Sequence, residues 1–153
     1  MKVAINSMEK KMKIKVLIVD DEVDFANTLA QRLELREFSV TPVFSGKAAL
    51  EIVEEIDFDV VVLDVQMPEI NGLEILEKIR KALPLTEVIM LTGQATVNNA
   101  IKGMKLGAFD FLMKPADTDL LEEKIKEAHS IKMRHEDRIR KAEIDNIIKQ
   151  RGW

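Results

Sequence analysis

The sequence predicts an α/β fold: a doubly wound five-stranded parallel sheet followed by an extended C-terminal helix. Three observations carry this prediction. Short apolar runs alternate five times with longer segments whose apolar residues recur at helical spacing. Residues 59–63 (DVVVL) contain four consecutive aliphatic residues, the composition of a strand covered on both faces. Strands joined through helices run parallel, and right-handed crossovers then leave only a few doubly wound topologies.

Taken in order, residues 1–13 are Lys-rich, contain three Met and show little periodicity, so they read as a flexible N-terminal extension. Residues 14–19 form an apolar run too short for a helix. Phe25, Ala26, Leu29, Ala30 and Leu33 give residues 23–35 a helical face. Residues 38–44 read as a weaker second strand, and Ser45 as the N-cap of a helix over 48–56. Residues 59–63 make the third strand. Leu73, Ile75, Leu76, Ile79 and Leu83 mark an amphipathic helix over 72–83. Residues 87–91 are the fourth strand. The helix over 95–106 ends at Gly107, a residue suited to closing a helix in the left-handed region. Residues 109–113 are the fifth strand, where Phe109 and Phe111 alternate with Asp110, so at least one belongs to the core. Asp117 or Thr118 caps a final helix with neither Pro nor Gly before Gly152; at ~1.5 Å per residue it extends roughly 50 Å. Lys132 and His135 interrupt its apolar positions, which makes a poor heptad seam. Basic residues after Ser130 (Lys132, Arg134, Arg138, Arg140, Lys141) interleave with Glu136, Asp137, Glu143 and Asp145, the pattern of a solvated helix. Ile144, Ile147 and Ile148 form a better apolar stripe, suited equally to self-association or to a linker toward another domain. The expected division is thus 1–13 extension, 14–130 domain, 131–153 helical extension or linker.

Composition narrows the function. The 153 residues suffice for one domain. A net charge of −4 disfavours direct nucleic-acid binding as the chain's main role. The absence of cysteine removes disulfides, thiolate metal sites and cysteine nucleophiles, and fits a reducing, cytoplasmic compartment. No apolar run approaches a membrane span, and the N-terminus lacks a signal-peptide core.

The informative residues are those at the strand ends. The first, third, fourth and fifth strands stop at Asp20-Asp21, Asp64, Thr92 and Lys114. In an open parallel sheet the carboxyl ends of the strands line the ligand crevice, so these groups should converge. Three carboxylates there repel: two charges ~4 Å apart interact by about 4 kcal/mol at an effective dielectric near 20. A hard divalent cation relieves that repulsion, and oxygen ligands with retained water suit Mg²⁺. One carboxylate can then attack a phosphoryl donor without a general base, forming an acyl phosphate. Lys114 and the cation would offset charge on the transferring oxygens, and Thr92 would donate a hydrogen bond to one of them. Taken singly, Asp20 and Asp21 read as helix caps, Thr92 as a strand-end residue and Lys114 as a surface lysine. Only the set points to chemistry. His129 and His135 read as solvated residues of the last helix, with no matching set of metal ligands.

The segments VLIVDDE, VVLDVQMPEINGLE, LTGQ and FDFLMKP, in that order, resemble a response-regulator receiver domain of two-component signalling, over about residues 14–130. The resemblance implies a flavodoxin-like strand order of 2-1-3-4-5. It implies that Asp64 is the phosphoacceptor, Asp21 a direct Mg²⁺ ligand, Asp20 a carboxylate acting through water, and Gln66 the residue offering the metal its backbone carbonyl. It makes Thr92 the hydroxyl that moves toward the phosphoryl group, Lys114 the conserved-type lysine before a cis Pro115, and Phe111 the aromatic switch. Phe111 has no hydroxyl, so only its burial or exposure can signal. Gln66 and Gln94 occupy positions that tune phosphoryl lifetime in the family. The implied partner is a sensor histidine kinase or histidine phosphotransfer protein, and a phosphorylation-dependent homodimer is a possible output. The activity expected is self-phosphorylation and dephosphorylation only. Two alternatives stand beside this one: an unmodified interaction module on the same fold, and an aspartyl-phosphate phosphatase. The phosphatase is disfavoured because Gln66 stands where a second carboxylate is needed, and no cap domain follows.

Overall fold

The structure is a computed structural model that describes residues 13–67, 71–93 and 97–152. The expected N-terminal extension therefore lies, apart from Lys13, outside the described residues, as does Gln94. The elements run β1 (Lys15–Val19), α1 (Val23–Glu34), β2 (Ser39–Val43), α2 (Gly46–Ile52), β3 (Val60–Leu63), α3 (Gly72–Ala82), β4 (Glu87–Thr92), α4 (Val97–Lys105), β5 (Asp110–Met113) and α5 (Thr118–Gln150). The strands form one parallel sheet in the order β2-β1-β3-β4-β5. This is the doubly wound, flavodoxin-like arrangement expected, with the long final helix in place.

Alternation along the central strands divides the interior into two cores. Val16, Ile18, Val60, Val62, Ile89 and Leu91 face α1 and α5, meeting Ala26, Leu29, Leu33, Leu121, Ile125 and Ala128. Leu17, Val19, Val61, Leu63, Val88 and Met90 face the other way, against Ala49, Val53, Ile75, Leu76 and Ile79. Consecutive aliphatic residues are thus what a sheet with two covered faces requires, and β3 and β4 are buried along their whole length. Phe109 and Phe111 pack against opposite cores. Phe109 precedes β5, so the strand's two-residue period does not carry it to the face of Phe111.

The helix ends follow local chemistry. Ser45 Oγ accepts from the Ala48 N–H at 3.1 Å, Asn71 Oδ1 from Leu73 at 3.0 Å, and Asp117 Oδ1 from Asp119 at 3.0 Å. α2 is shorter than expected, ending at Ile52, because residues 53–55 close a turn in which the Ile56 N–H donates to the Ile52 carbonyl. Gly107, at φ +101°, ends α4 while the Ala108 N–H donates back to the Gly103 carbonyl at 3.0 Å.

One expectation is corrected on α5. Lys132 does not interrupt an apolar face as a solvated residue; it continues the buried stripe of Leu121, Ile125 and Ala128. Its side chain is 3% exposed, and its ammonium sits beneath the sheet within 3.0 Å of Asp59 Oδ1 and 3.3 Å of both Asp57 Oδ1 and the Phe58 carbonyl. Glu136 lies one turn on, at 3.6 Å. A lysine tolerates such burial because its three N–H donors all find oxygen. His129 and His135 are half-buried rather than fully solvated. From residue 137 to 150 every residue of α5 is exposed.

Candidate functional site

The carboxyl ends of the strands are laced together by backbone hydrogen bonds. The Asp20 N–H donates to the Val43 carbonyl, Asp64 to Val19, and Lys114 to Thr92, at 2.9–3.1 Å. Residues 22 to 45 positions apart are thereby set side by side at one edge. Gly72 brings the start of α3 against the backbone that follows β3: its N–H donates to the Val65 carbonyl, and a Cβ at Gly72 would lie 2.2 Å from Val65 Cα. Only glycine lets α3 begin so close to that backbone.

Asp20, Asp21 and Asp64 each offer a carboxylate oxygen within 4.8 Å of the others. Asp20 and Asp64 are almost fully buried, and both are held in the same way. In each, Oδ1 accepts a 2.9 Å bond from the backbone N–H two residues on, Glu22 for Asp20 and Gln66 for Asp64. In each, Oδ2 faces Lys114, whose Nζ lies 2.6 Å from Asp20 and 3.2 Å from Asp64. Burial pushes the Asp20 carboxyl above the usual carboxylate range, against the opposing pull of its hydrogen bonds from Lys114 and Glu22. For Lys114, burial works against the ammonium, but the Asp20 hydrogen bond and the charges of Asp20 and Asp64 outweigh it and raise its pKa. The Lys114–Pro115 peptide bond is cis.

The remaining expected residues lie around this cluster. Thr92 is the last residue of β4 and fully buried. Phe111 pairs with Met90 in the β4–β5 register and is half-buried against the core of α2 and α3. Gln66 contributes its backbone N–H to Asp64, while the residue itself is exposed. Two neighbours were not foreseen. Glu22 Oε1 lies 3.2 Å from Lys114 Nζ, and the Phe25 ring centroid lies 4.3 Å from it. Glu22 directly follows the acidic pair, but nothing in its spacing singles it out. The helical period of Phe25 marks it as core, which hides its polar neighbour.

Chemically, three hard oxygen donors in one cluster fit a divalent cation, and the lysine that bridges two of them offsets part of their charge. The same edge presents a buried carboxylate, a lysine and a buried threonine to whatever enters it.

The chain belongs to the family of response regulator receiver domains, whose description matches residues 16–126. Domains of this family are phosphorylated on aspartate in two-component systems and are generally not classical enzymes. Among curated relatives, the transcriptional regulatory protein ZraR of Salmonella typhimurium is 36% identical over 116 residues, covering 76% of this chain and 26% of that protein. The chain thus spans about a quarter of the length of this relative. A CheY-like response regulator receiver domain protein from Methanospirillum hungatei superposes with a TM-score of 0.77 at 31% identity, covering 80% of this chain and 98% of that one. The DrrB receiver domain, described as activated by BeF3, superposes with a TM-score of 0.70 at 32% identity, covering 76% of this chain and 97% of that one. Among the described residues, no helix is long and apolar enough to cross a membrane.

Proposed function

We propose that Asp64 accepts a phosphoryl group from a sensor histidine kinase or a histidine phosphotransfer protein, with Mg²⁺ at the acidic cluster, and that the domain then changes conformation. The observation that carries this reading is the placement of Lys114 Nζ between the buried carboxylates of Asp20 and Asp64 at the carboxyl edge of the sheet. In the reaction, an Asp64 oxygen attacks the phosphorus of the donor phosphohistidine. The P–N bond breaks, and its electron pair returns to the imidazole nitrogen, which takes up a proton. Asp64 is presented for this by the Gln66 N–H, which holds its other oxygen at 2.9 Å. Lys114 offsets charge on the transferring oxygens, and the Thr92 hydroxyl donates to one of them. Asp21, Asp64 and the Gln66 carbonyl would hold the metal directly and Asp20 through water; bound there, Mg²⁺ neutralises charge shared by the carboxylates and the phosphoryl group. Movement of Thr92 toward the phosphoryl group and a change in the burial of Phe111 carry the signal outward, while Gln66 and Gln94 set its lifetime. The phosphoryl group shifts the two conformations only through contacts that differ between them.

Residues 14–130 act in this reading as the receiver and 131–153 as its helical extension. The beryllofluoride described for the DrrB receiver domain is a mimic of an acyl phosphate, which makes it the natural probe here. Incubation with phosphoramidate and Mg²⁺ should add one phosphoryl group to the intact mass, and EDTA or Asp64→Asn should abolish the addition. Unchanged mass in the wild type would refute the proposal. Light scattering with Mg²⁺ and beryllofluoride then separates the outputs: a doubled mass assigns the signal to self-association, and an unchanged one assigns it to a separate partner or output domain.

A further inference from the structure

Lys114 has four neighbours around its ammonium among the described residues: Asp20, Asp64, Glu22 and the ring of Phe25. Three of them are poor fixed points. Asp20 and Asp64 belong to the acidic cluster, and in the proposed reaction both take up other duties, one toward the cation and one toward phosphorus. Glu22 has a side chain 65% exposed, so water competes for its carboxylate. Phe25 differs from all three. It sits in the first turn of α1, half-buried against the core that α1 shares with α5. It carries no titratable group and binds no cation through oxygen. Its ring is held from behind by packing, and the centroid is 4.3 Å from Nζ, inside the range in which an aromatic face attracts an ammonium. A lysine ammonium is otherwise a point charge on a flexible four-carbon stem, with nothing of its own to keep it aimed.

We infer that Phe25 is a positioning residue for the phosphoryl-transfer site: its aromatic face keeps Lys114 over Asp64 when the carboxylates of the cluster turn to other ligands. The inference rests on the proposed role of Asp64 and Lys114. The ring also lines a cavity of about 360 Å³ shared with Leu91 and Pro115, the neighbours of Thr92 and Lys114 in the chain. Phe25 is therefore the point at which packing between α1 and α5 meets the chemistry of the strand ends.

The test compares Phe25→Leu, which keeps an apolar side chain but removes the ring, with Phe25→Tyr, which keeps the ring. Beryllofluoride affinity at saturating Mg²⁺ is read by ¹⁹F NMR, and the ¹H shift of the Lys114 ε-methylene reports the ring current directly. Thermal melts without ligand confirm that each variant is folded. Phe25→Leu should weaken beryllofluoride binding about fivefold and lose the upfield ε-methylene shift, while Phe25→Tyr stays within about twofold of wild type and keeps it. Equal affinity in the two variants, whether both at the wild-type value or both weakened, would overturn the role of the ring. If the wild type binds no beryllofluoride while its ε-methylene shift is upfield, the proposed reaction fails and takes this inference with it. Failure of the ring alone instead leaves wild-type binding intact.

Discussion

Asp64 and Lys114 oppose each other energetically before any ligand arrives. Three carboxylates in one cluster raise the energy of the fold, and Lys114 lowers it. Neutralising one carboxylate should therefore stabilise the metal-free protein. Asp64→Asn is expected to raise its melting temperature by several degrees, about 1–2 kcal/mol. Lys114→Met should do the reverse, costing roughly 2–4 kcal/mol without metal because two buried carboxylates lose their counter-ion. Millimolar Mg²⁺ should recover part of that loss. In the wild type Mg²⁺ should raise the melting temperature, and Asp21→Asn should remove most of the rise. Calorimetry of the four proteins, each with Mg²⁺ or EDTA, checks all of these signs together. At this scale the convergence was legible because several apolar runs each stop at a polar residue: one such Asp or Lys alone says little, but the set at the strand ends must meet at one edge. Glu22 and Phe25 were not legible, because their meeting with Lys114 crosses about 90 residues and depends on how α1 packs.

Elements differ in how tightly their neighbours constrain them. A methyl group at Gly72 would meet the Val65 backbone at 2.2 Å, whereas at Gly103 in α4 it would meet the tip of Met90, Cε at 2.1 Å. Backbone cannot yield and a methionine tip can. Gly72→Ala should thus cost about 3 kcal/mol or more and disturb the loop after β3, while Gly103→Ala should fall within about 1 kcal/mol of wild type, since alanine also favours the helix. Urea denaturation of both distinguishes the two. Lys132 makes an analogous point on α5. Burial disfavours its ammonium, yet the hydrogen bond from Lys132 to Asp59, together with the charges of Asp59 and Asp57, outweighs burial and raises its pKa. A cation whose folded pKa is raised contributes stability that is complete below the unfolded value, about 10.4, and is lost as pH rises through the folded value. Lys132→Met should cost about 1–3 kcal/mol at neutral pH, and the gap to wild type should narrow above pH ~10.5. A gap independent of pH would contradict the clamp. Periodicity placed Lys132 on the buried stripe, yet its charge argued for solvent. The three oxygens that resolve the conflict come from residues 57–59, just before β3, which no local pattern in α5 reveals.

The whole molecule consists of a sheet whose carboxyl edge gathers Asp20, Asp21, Asp64, Thr92 and Lys114 and whose opposite edge anchors a helix that outruns the domain. The two-sided core followed from the apolar runs, because strands joined by helices admit few arrangements; the particular strand order among those came from the family resemblance. The length of α5 was readable from the lack of Pro and Gly; where its packing stops was not. With residues 137–150 exposed, removing everything after Arg138 should leave the melting temperature within about 2 °C of the full chain. A larger fall would mean that Ile139, Ile144 and Ile147 are covered in solution, and light scattering would then show the partner to be a second copy.

The central claim is that convergence of these strand ends makes Asp64 the phosphoacceptor. The most direct test is to phosphorylate the wild type with phosphoramidate and Mg²⁺, reduce the acyl phosphate with borohydride, and map the product by peptide mass spectrometry. Aspartate converted to homoserine at position 64 alone is the predicted result. Conversion at Asp20 or Asp21, or no conversion in protein that has gained a phosphoryl group, would contradict the account.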